Sequence, residues 1–170
     1  MTSPLIGGAT IPGVGVGGSA VSSFFYVLDE DARVLFVDDD PILREFAQVN
    51  LASPNAGIDL AADGAEALER LAARDYDVVL LDLEMPVMDG FAVLERLRAD
   101  PRTASLPVIV QTGREDVDGI DRAFLLGATS FVTKPLNWRL LTYQIRYVLR
   151  AARAEHRLGA DAAREQGRAA

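Results

Sequence analysis

The chain has 170 residues, 49% of them hydrophobic, enough to fill one core and to exclude general disorder. Twenty-five acidic against 17 basic residues leave a net charge of −8, which argues against nucleic acid as a direct partner because phosphate binding needs a basic face. No cysteine occurs, which excludes disulfides and thiolate metal sites and fits a reducing cytosol.

The first 28 residues carry no charged side chain. No basic segment precedes the apolar stretch, as an export signal requires, and Pro4, Pro12, Gly7, Gly8, Gly13, Gly15, Gly17 and Gly18 interrupt any run long enough to span a bilayer. Residues 1–30 therefore read as a flexible glycine-rich leader, with Ser23 to Leu28 as a candidate extra edge strand and no membrane contact expected.

Residues 31–152 read as one compact domain of five strand–helix repeats. Arg33–Val37 is the first strand, and Pro41 opens a helix to about Ala52, where its missing N–H costs nothing. A loop from Ser53 to Gly57 leads to a short strand at Ile58–Ala61, then Asp63-Gly64 starts a helix through Ala73. Val78–Leu81 is the third strand, and the loop Leu83–Asp89 leads to a helix over Gly90–Ala99, with Phe91, Leu94 and Leu97 on one stripe. The fourth strand follows Pro107 and runs into Thr112. A weaker helix from about Glu115 to Leu126 contains Gly119, which costs about 1 kcal/mol relative to alanine and marks it as the mobile helix. Gly127 ends that helix, Ser130–Thr133 is the last strand, and Asn137 caps the final helix. Residues 153–170, rich in Ala, Arg and Glu, read as a charged helical tail that frays.

Alternation of this kind predicts an α/β fold with a doubly wound five-stranded parallel sheet, in the common order 2-1-3-4-5. Ligands then bind beyond the carboxyl ends of the strands, where Asp38 and Asp39 face Asp82 across the switch point. Clustered carboxylates repel unless a proton or a cation intervenes, and an all-oxygen set selects a hard ion such as Mg²⁺. The Thr112 hydroxyl and the Lys134 ammonium add two groups able to hold phosphate oxygens. A central carboxylate with metal, amine and hydroxyl is equipment for phosphoryl transfer, the carboxylate itself serving as nucleophile. Taken singly, each residue has a plainer reading: Asp40 before Pro41 as a helix cap, Thr112 as a turn residue, Lys134 as a surface lysine. Their joint arrival at strand ends argues for a site.

The segments Val34-Leu35-Phe36-Val37-Asp38-Asp39-Asp40-Pro41, Asp82-Leu83-Glu84-Met85-Pro86-Val87-Met88-Asp89-Gly90, Thr112 and Lys134-Pro135 resemble receiver domains of bacterial two-component response regulators, across roughly residues 31–152. The separations from Asp82 to Thr112 and from Thr112 to Lys134 are those of the family. The resemblance implies a flavodoxin-like receiver fold and a phosphoacceptor at Asp82. It implies Mg²⁺ held directly by Asp39 and Asp82, by Asp38 through water and by the Glu84 backbone carbonyl. It also implies Thr112 as the switch hydroxyl, Phe131 as a rotating aromatic, Lys134 as the phosphate-holding ammonium and a cis bond before Pro135. Gly113 departs from the family's usual alanine and loosens the loop; Glu84 and Arg114 occupy two variable positions where they would pair across the site.

The resemblance further implies a non-enzymatic cytoplasmic chain that takes its phosphoryl group from a sensor histidine kinase or phosphotransfer protein and acts on an output partner or as a homodimer. The last helix resembles receivers found ahead of diguanylate cyclase or cyclic-di-GMP phosphodiesterase domains. In it Leu141, Ile145, Val148 and Ala152 have coiled-coil spacing that fails at Glu155, and the core face of the helix explains Leu141 and Ile145 equally well. Two other readings compete. Asp38-x-Asp40 looks like the nucleophile motif of a haloacid-dehalogenase-type phosphatase, but Glu155, Asp161 and Glu165 are scattered poorly for its second acidic pair. A non-signalling scaffold of the same fold is the other. His156 lacks the flanking proline motif of a kinase phosphohistidine and reads as a surface residue.

Overall fold

The structure, a computed structural model, describes Leu28, residues 31–113 and residues 116–168. Its elements alternate throughout: β1 (Ala32–Val37), α1 (Pro41–Leu51), β2 (Ala56–Ala61), α2 (Gly64–Ala73), β3 (Val78–Asp82), α3 (Gly90–Ala99), β4 (Val108–Thr112), α4 (Val117–Leu125), β5 (Ser130–Thr133) and α5 (Trp138–Arg168). All five strands are parallel in the order β2-β1-β3-β4-β5, the topology expected from the sequence.

Side-chain alternation along each buried strand divides the core in two. Leu35, Val37, Val79, Leu81, Val108 and Val110 pack against residues of α2, α3 and α4. Val34, Phe36, Val78, Leu80 and Ile109 pack on the other face against α1 and α5. Both faces of the sheet are thus covered, as a parallel sheet requires.

Element ends differ from the sequence reading for local reasons. β2 begins at Ala56 rather than Ile58, because Ala56 and Gly57, weak strand formers, are drawn into register with Ala32 and Arg33 of β1. α4 begins at Val117 rather than Glu115, since the Asp116 carboxylate accepts the Gly119 N–H at 2.9 Å and acts as its cap. At its other end Gly127 takes φ 96°, with Gly127 N–H donating to Phe124 O at 3.0 Å and Ala128 N–H to Ala123 O at 2.9 Å, a Schellman closure.

Two departures concern the ends of the chain. Leu28, placed by sequence in the leader, is fully buried beside Ala32, Leu51 and Ile58, and its carbonyl accepts the Ser53 hydroxyl at 2.6 Å. It has no strand conformation, and the rest of the candidate strand from Ser23 lies outside the described residues. At the other end α5 passes position 153 without a break and continues to Arg168, exposed from Glu155 onward. Its run of Ala, Arg and Glu has high helix propensity and outlasts the core contacts of Leu141, Ile145, Val148 and Leu149.

Candidate functional site

Strand parity decides where each polar residue points. Asp38 continues the Val34, Phe36 series and Asp82 the Val78, Leu80 series, so both lie at the carboxyl edge on the face covered by α1 and α5. Thr112 continues the Val108, Val110 series and lies on the opposite face, toward α4. The acidic pair and the Thr112 hydroxyl therefore flank the sheet edge from two sides.

The three consecutive aspartates after β1 have separate tasks. Asp38 is fully buried, and its Oδ1 accepts the Asp40 N–H at 2.9 Å. Asp40 caps α1 by accepting the Ile42 N–H at 2.8 Å, the plainer reading of that residue. Asp39 is exposed. Carboxylate oxygens of Asp38, Asp39 and Asp82 all lie within 4.8 Å of one another. Arg44, which the sequence reading passed over, donates to the Asp38 carbonyl at 2.7 Å and ties the loop to α1.

Asp82, also buried, receives the Glu84 N–H at 3.1 Å. A β-carbon on Gly90 would lie 2.3 Å from the Asp82 carbonyl oxygen, so the start of α3 can abut the site only with glycine there. Between Asp82 and α3, exposed Val87 adopts φ 69°, an uncommon conformation for a β-branched residue.

Lys134 joins the acidic residues. Its Nζ is 2.8 Å from Asp38 Oδ2, an ion pair without an aligned hydrogen bond, and 3.0 Å from Asp82 Oδ2. Its N–H donates to the Thr112 carbonyl at 2.8 Å, and the Lys134–Pro135 bond is cis. Burial pushes the Asp82 carboxyl up to about 6, even though the Lys134 ammonium pulls it down. Burial works against the charge on Lys134 too, but Asp38 and Asp82 outweigh it and the ammonium titrates above its ordinary range.

The residues fit a hard divalent cation. Three carboxylates face one ammonium, an excess of two negative charges. All donors are oxygens, and bonds of about 2.1 Å place opposed Mg²⁺ ligands about 4.2 Å apart, within the spread of these groups.

Thr112 and Phe131 stand apart from this cluster. Thr112 Oγ1 is buried and donates to Asp116 Oδ2 at 3.0 Å. Phe131 is 40% exposed and meets Phe124 of α4 edge-on, with ring centroids 6.2 Å apart. Arg114 lies outside the described residues, and with it the expected Glu84–Arg114 pair. Gln111, not singled out in the sequence, is fully buried beside Asp82 in the sheet register, and neither polar atom of its amide has a hydrogen-bond partner among the described residues.

The response regulator receiver domain family matches residues 34–146. The DNA-binding dual master transcriptional regulator RpaA of Synechocystis is 33% identical over 118 residues, covering 69% of this chain and 49% of that one. The transcriptional activator IrlR of Burkholderia pseudomallei is 34% identical over 122 residues, covering 72% and 52%. The crystal structure of the chemotaxis protein CheY4 of Vibrio cholerae superposes with a TM-score of 0.66 at 30% identity, covering 69% of this chain and 98% of that one. The chain thus spans about half the length of the curated relatives it matches. None of these three names a cyclic-di-GMP enzyme, so the resemblance of α5 to receivers ahead of such enzymes gains no support from them. The expected exclusion of nucleic acid is not borne out by these relatives: RpaA is named DNA-binding, and the acidic balance describes only these 170 residues.

Proposed function

The chain belongs to the response regulator receiver domain family, and on that premise we propose that Asp82 is the residue that accepts the phosphoryl group. The observation that carries this reading is the position of Lys134, within 3.0 Å of Asp82 and 2.8 Å of Asp38 in a buried acidic pocket. With its pKa near 6, Asp82 is mostly ionised at neutral pH and keeps a nucleophilic oxygen. That oxygen forms a bond to phosphorus as the P–N bond of a phosphohistidine breaks. The bonding pair leaves with the imidazole nitrogen, which takes a proton from solvent. Lys134 turns its ammonium toward the arriving phosphoryl oxygens. Asp38, Asp39, Asp82 and the Glu84 carbonyl would hold a magnesium ion, which would neutralise charge on those oxygens. The source is a sensor histidine kinase or a phosphotransfer protein.

The added charge, about −1.5 to −2 at neutral pH, biases the end of β4, α4 and Phe131. Phe131, Leu136, Leu140 and Leu141 line a groove between β5 and α5, and Leu140 is 63% exposed. This face would relay the state to an output partner or a second copy. No helix among the described residues is long and apolar enough to cross a membrane.

Exposure to acetyl phosphate or beryllofluoride with Mg²⁺ tests the reading: wild type is labelled and Asp82→Asn is not. Equal labelling of both would remove Asp82 from the role. Continuous phosphate release from a generic phosphomonoester would instead favour the phosphatase reading. Against that reading, the Asp40 carboxylate, the second acid of the motif, is engaged as the cap of α1.

A further inference from the structure

Asp116 holds two groups at once. Its Oδ1 accepts the Gly119 N–H at 2.9 Å and so caps α4, while its Oδ2 accepts the Thr112 hydroxyl at 3.0 Å. A hydroxyl has one proton to donate. A phosphoryl oxygen on Asp82 is an acceptor, so it can recruit Thr112 only by taking that proton from Asp116.

Gly119 makes the arrangement possible. A β-carbon there would fall 2.0 Å from Asp116 Oδ2 and 2.6 Å from Oδ1, so the glycine is a steric requirement of the carboxylate. Its effect on helix propensity alone, the basis for expecting a mobile helix, does not capture this role. Thr112 itself is buried and cannot exchange Asp116 for bulk water without moving.

From this geometry we infer that Asp116 is a positioning residue that competes with the phosphoryl group for the Thr112 hydroxyl proton, restraining the activated state and coupling its formation to the cap of α4. The inference rests on Asp82 as phosphoacceptor. Release of Thr112 frees one oxygen of the carboxylate that starts α4, so the hydroxyl and the helix respond to the same event. No covalent step is added; one hydrogen bond is exchanged for another.

Asp116→Asn tests it, because asparagine keeps the capping oxygen but offers Thr112 an N–H donor in place of an acceptor. The hydroxyl proton is then free for the phosphoryl site. With Mg²⁺ and beryllofluoride as the probe, Asp116→Asn should bind about fivefold more tightly than wild type, the scale of one net hydrogen bond. Gly119→Ala, which expels the carboxylate, should shift affinity in the same direction even though it weakens the cap. In a Thr112→Val background the gain from Asp116→Asn should vanish. Removing a negative charge or loosening α4 would instead act whether or not the hydroxyl is present. Unchanged affinity in Asp116→Asn, or a gain that survives Thr112→Val, overturns the inference. Asp82→Asn is the separate control: if it binds the probe as wild type does, the phosphoacceptor assignment fails, whereas loss of binding there with no effect at Asp116 rejects the competition alone.

Discussion

Gly90 stands directly against the backbone of Asp82: a β-carbon would lie 2.3 Å from the Asp82 carbonyl oxygen and 2.8 Å from Leu83 Cα. Both obstacles are main chain, and neither can rotate away as a side chain would. The Gly90 N–H also donates to the Leu83 carbonyl at 3.1 Å, fixing the start of α3 on the loop that follows Asp82. Gly90→Ala should therefore destabilise the fold by about 2–3 kcal/mol, as forced overpacking does. Urea unfolding measures this, and a loss below about 1 kcal/mol would show that the loop yields.

The buried Asp82 carboxyl predicts a pH dependence of defined sign. Its pKa rises from 3.8 to about 6 in the folded chain, chiefly through burial. Between those values the folded state keeps a proton that the unfolded state has released. This group's contribution is therefore fully present below about 4 and is lost as pH rises through about 6. In chelator-treated protein, wild type should lose stability relative to Asp82→Asn across that window, by up to about 3 kcal/mol. Denaturant titrations of both proteins at several pH values provide the comparison. A difference that stays flat, or runs the other way, would contradict the raised pKa.

Gln111 carries the opposite kind of cost. Its amide is fully buried with no hydrogen-bond partner on either polar atom among the described residues. An orphaned buried polar group costs about 1–3 kcal/mol, and methionine has similar length and volume without it. Gln111→Met should thus raise the unfolding free energy of the unphosphorylated protein by about 1–2 kcal/mol. If stability falls instead, the amide is satisfied by an internal water that the methionine displaces.

Val87 tests the backbone of the same loop. It holds φ 69° while its side chain is fully exposed, so it gains no packing in return. The left-handed region costs an L-residue roughly 1–2 kcal/mol, and glycine enters it freely. Val87→Gly should stabilise the fold by about 0.5–1 kcal/mol after glycine's added freedom in the unfolded chain is counted. A shift in thermal midpoint reports it, and a drop would mean that the loop prefers another conformation.

Much of the site is visible in one dimension because its parts end apolar runs. Asp38 and Lys134 follow strands and Asp82 ends one, and parallel strands bring those ends to one edge of the sheet. The loop from Glu84 to Gly90 carries its own signature, with a glycine where the backbone allows nothing larger. Arg44 and Asp116 left no such signal. Each is one charged residue among many, and its task depends on which carbonyl or hydroxyl lies within reach.

Sequence alone determined the alternation of strands and helices, the sheet order and the acidic edge, because hydrophobic period, turn residues and caps act locally along the chain. Tertiary packing alone decided that Thr112 lies across the sheet from Asp82 and bonds Asp116, that Leu28 enters the core, and that Gln111 has no hydrogen-bond partner among the described residues. Those outcomes depend on strand register and on which face each helix covers. The Thr112–Asp116 bond spans only four positions, but the other relations join residues far apart in the chain, where no local pattern of residue types encodes them.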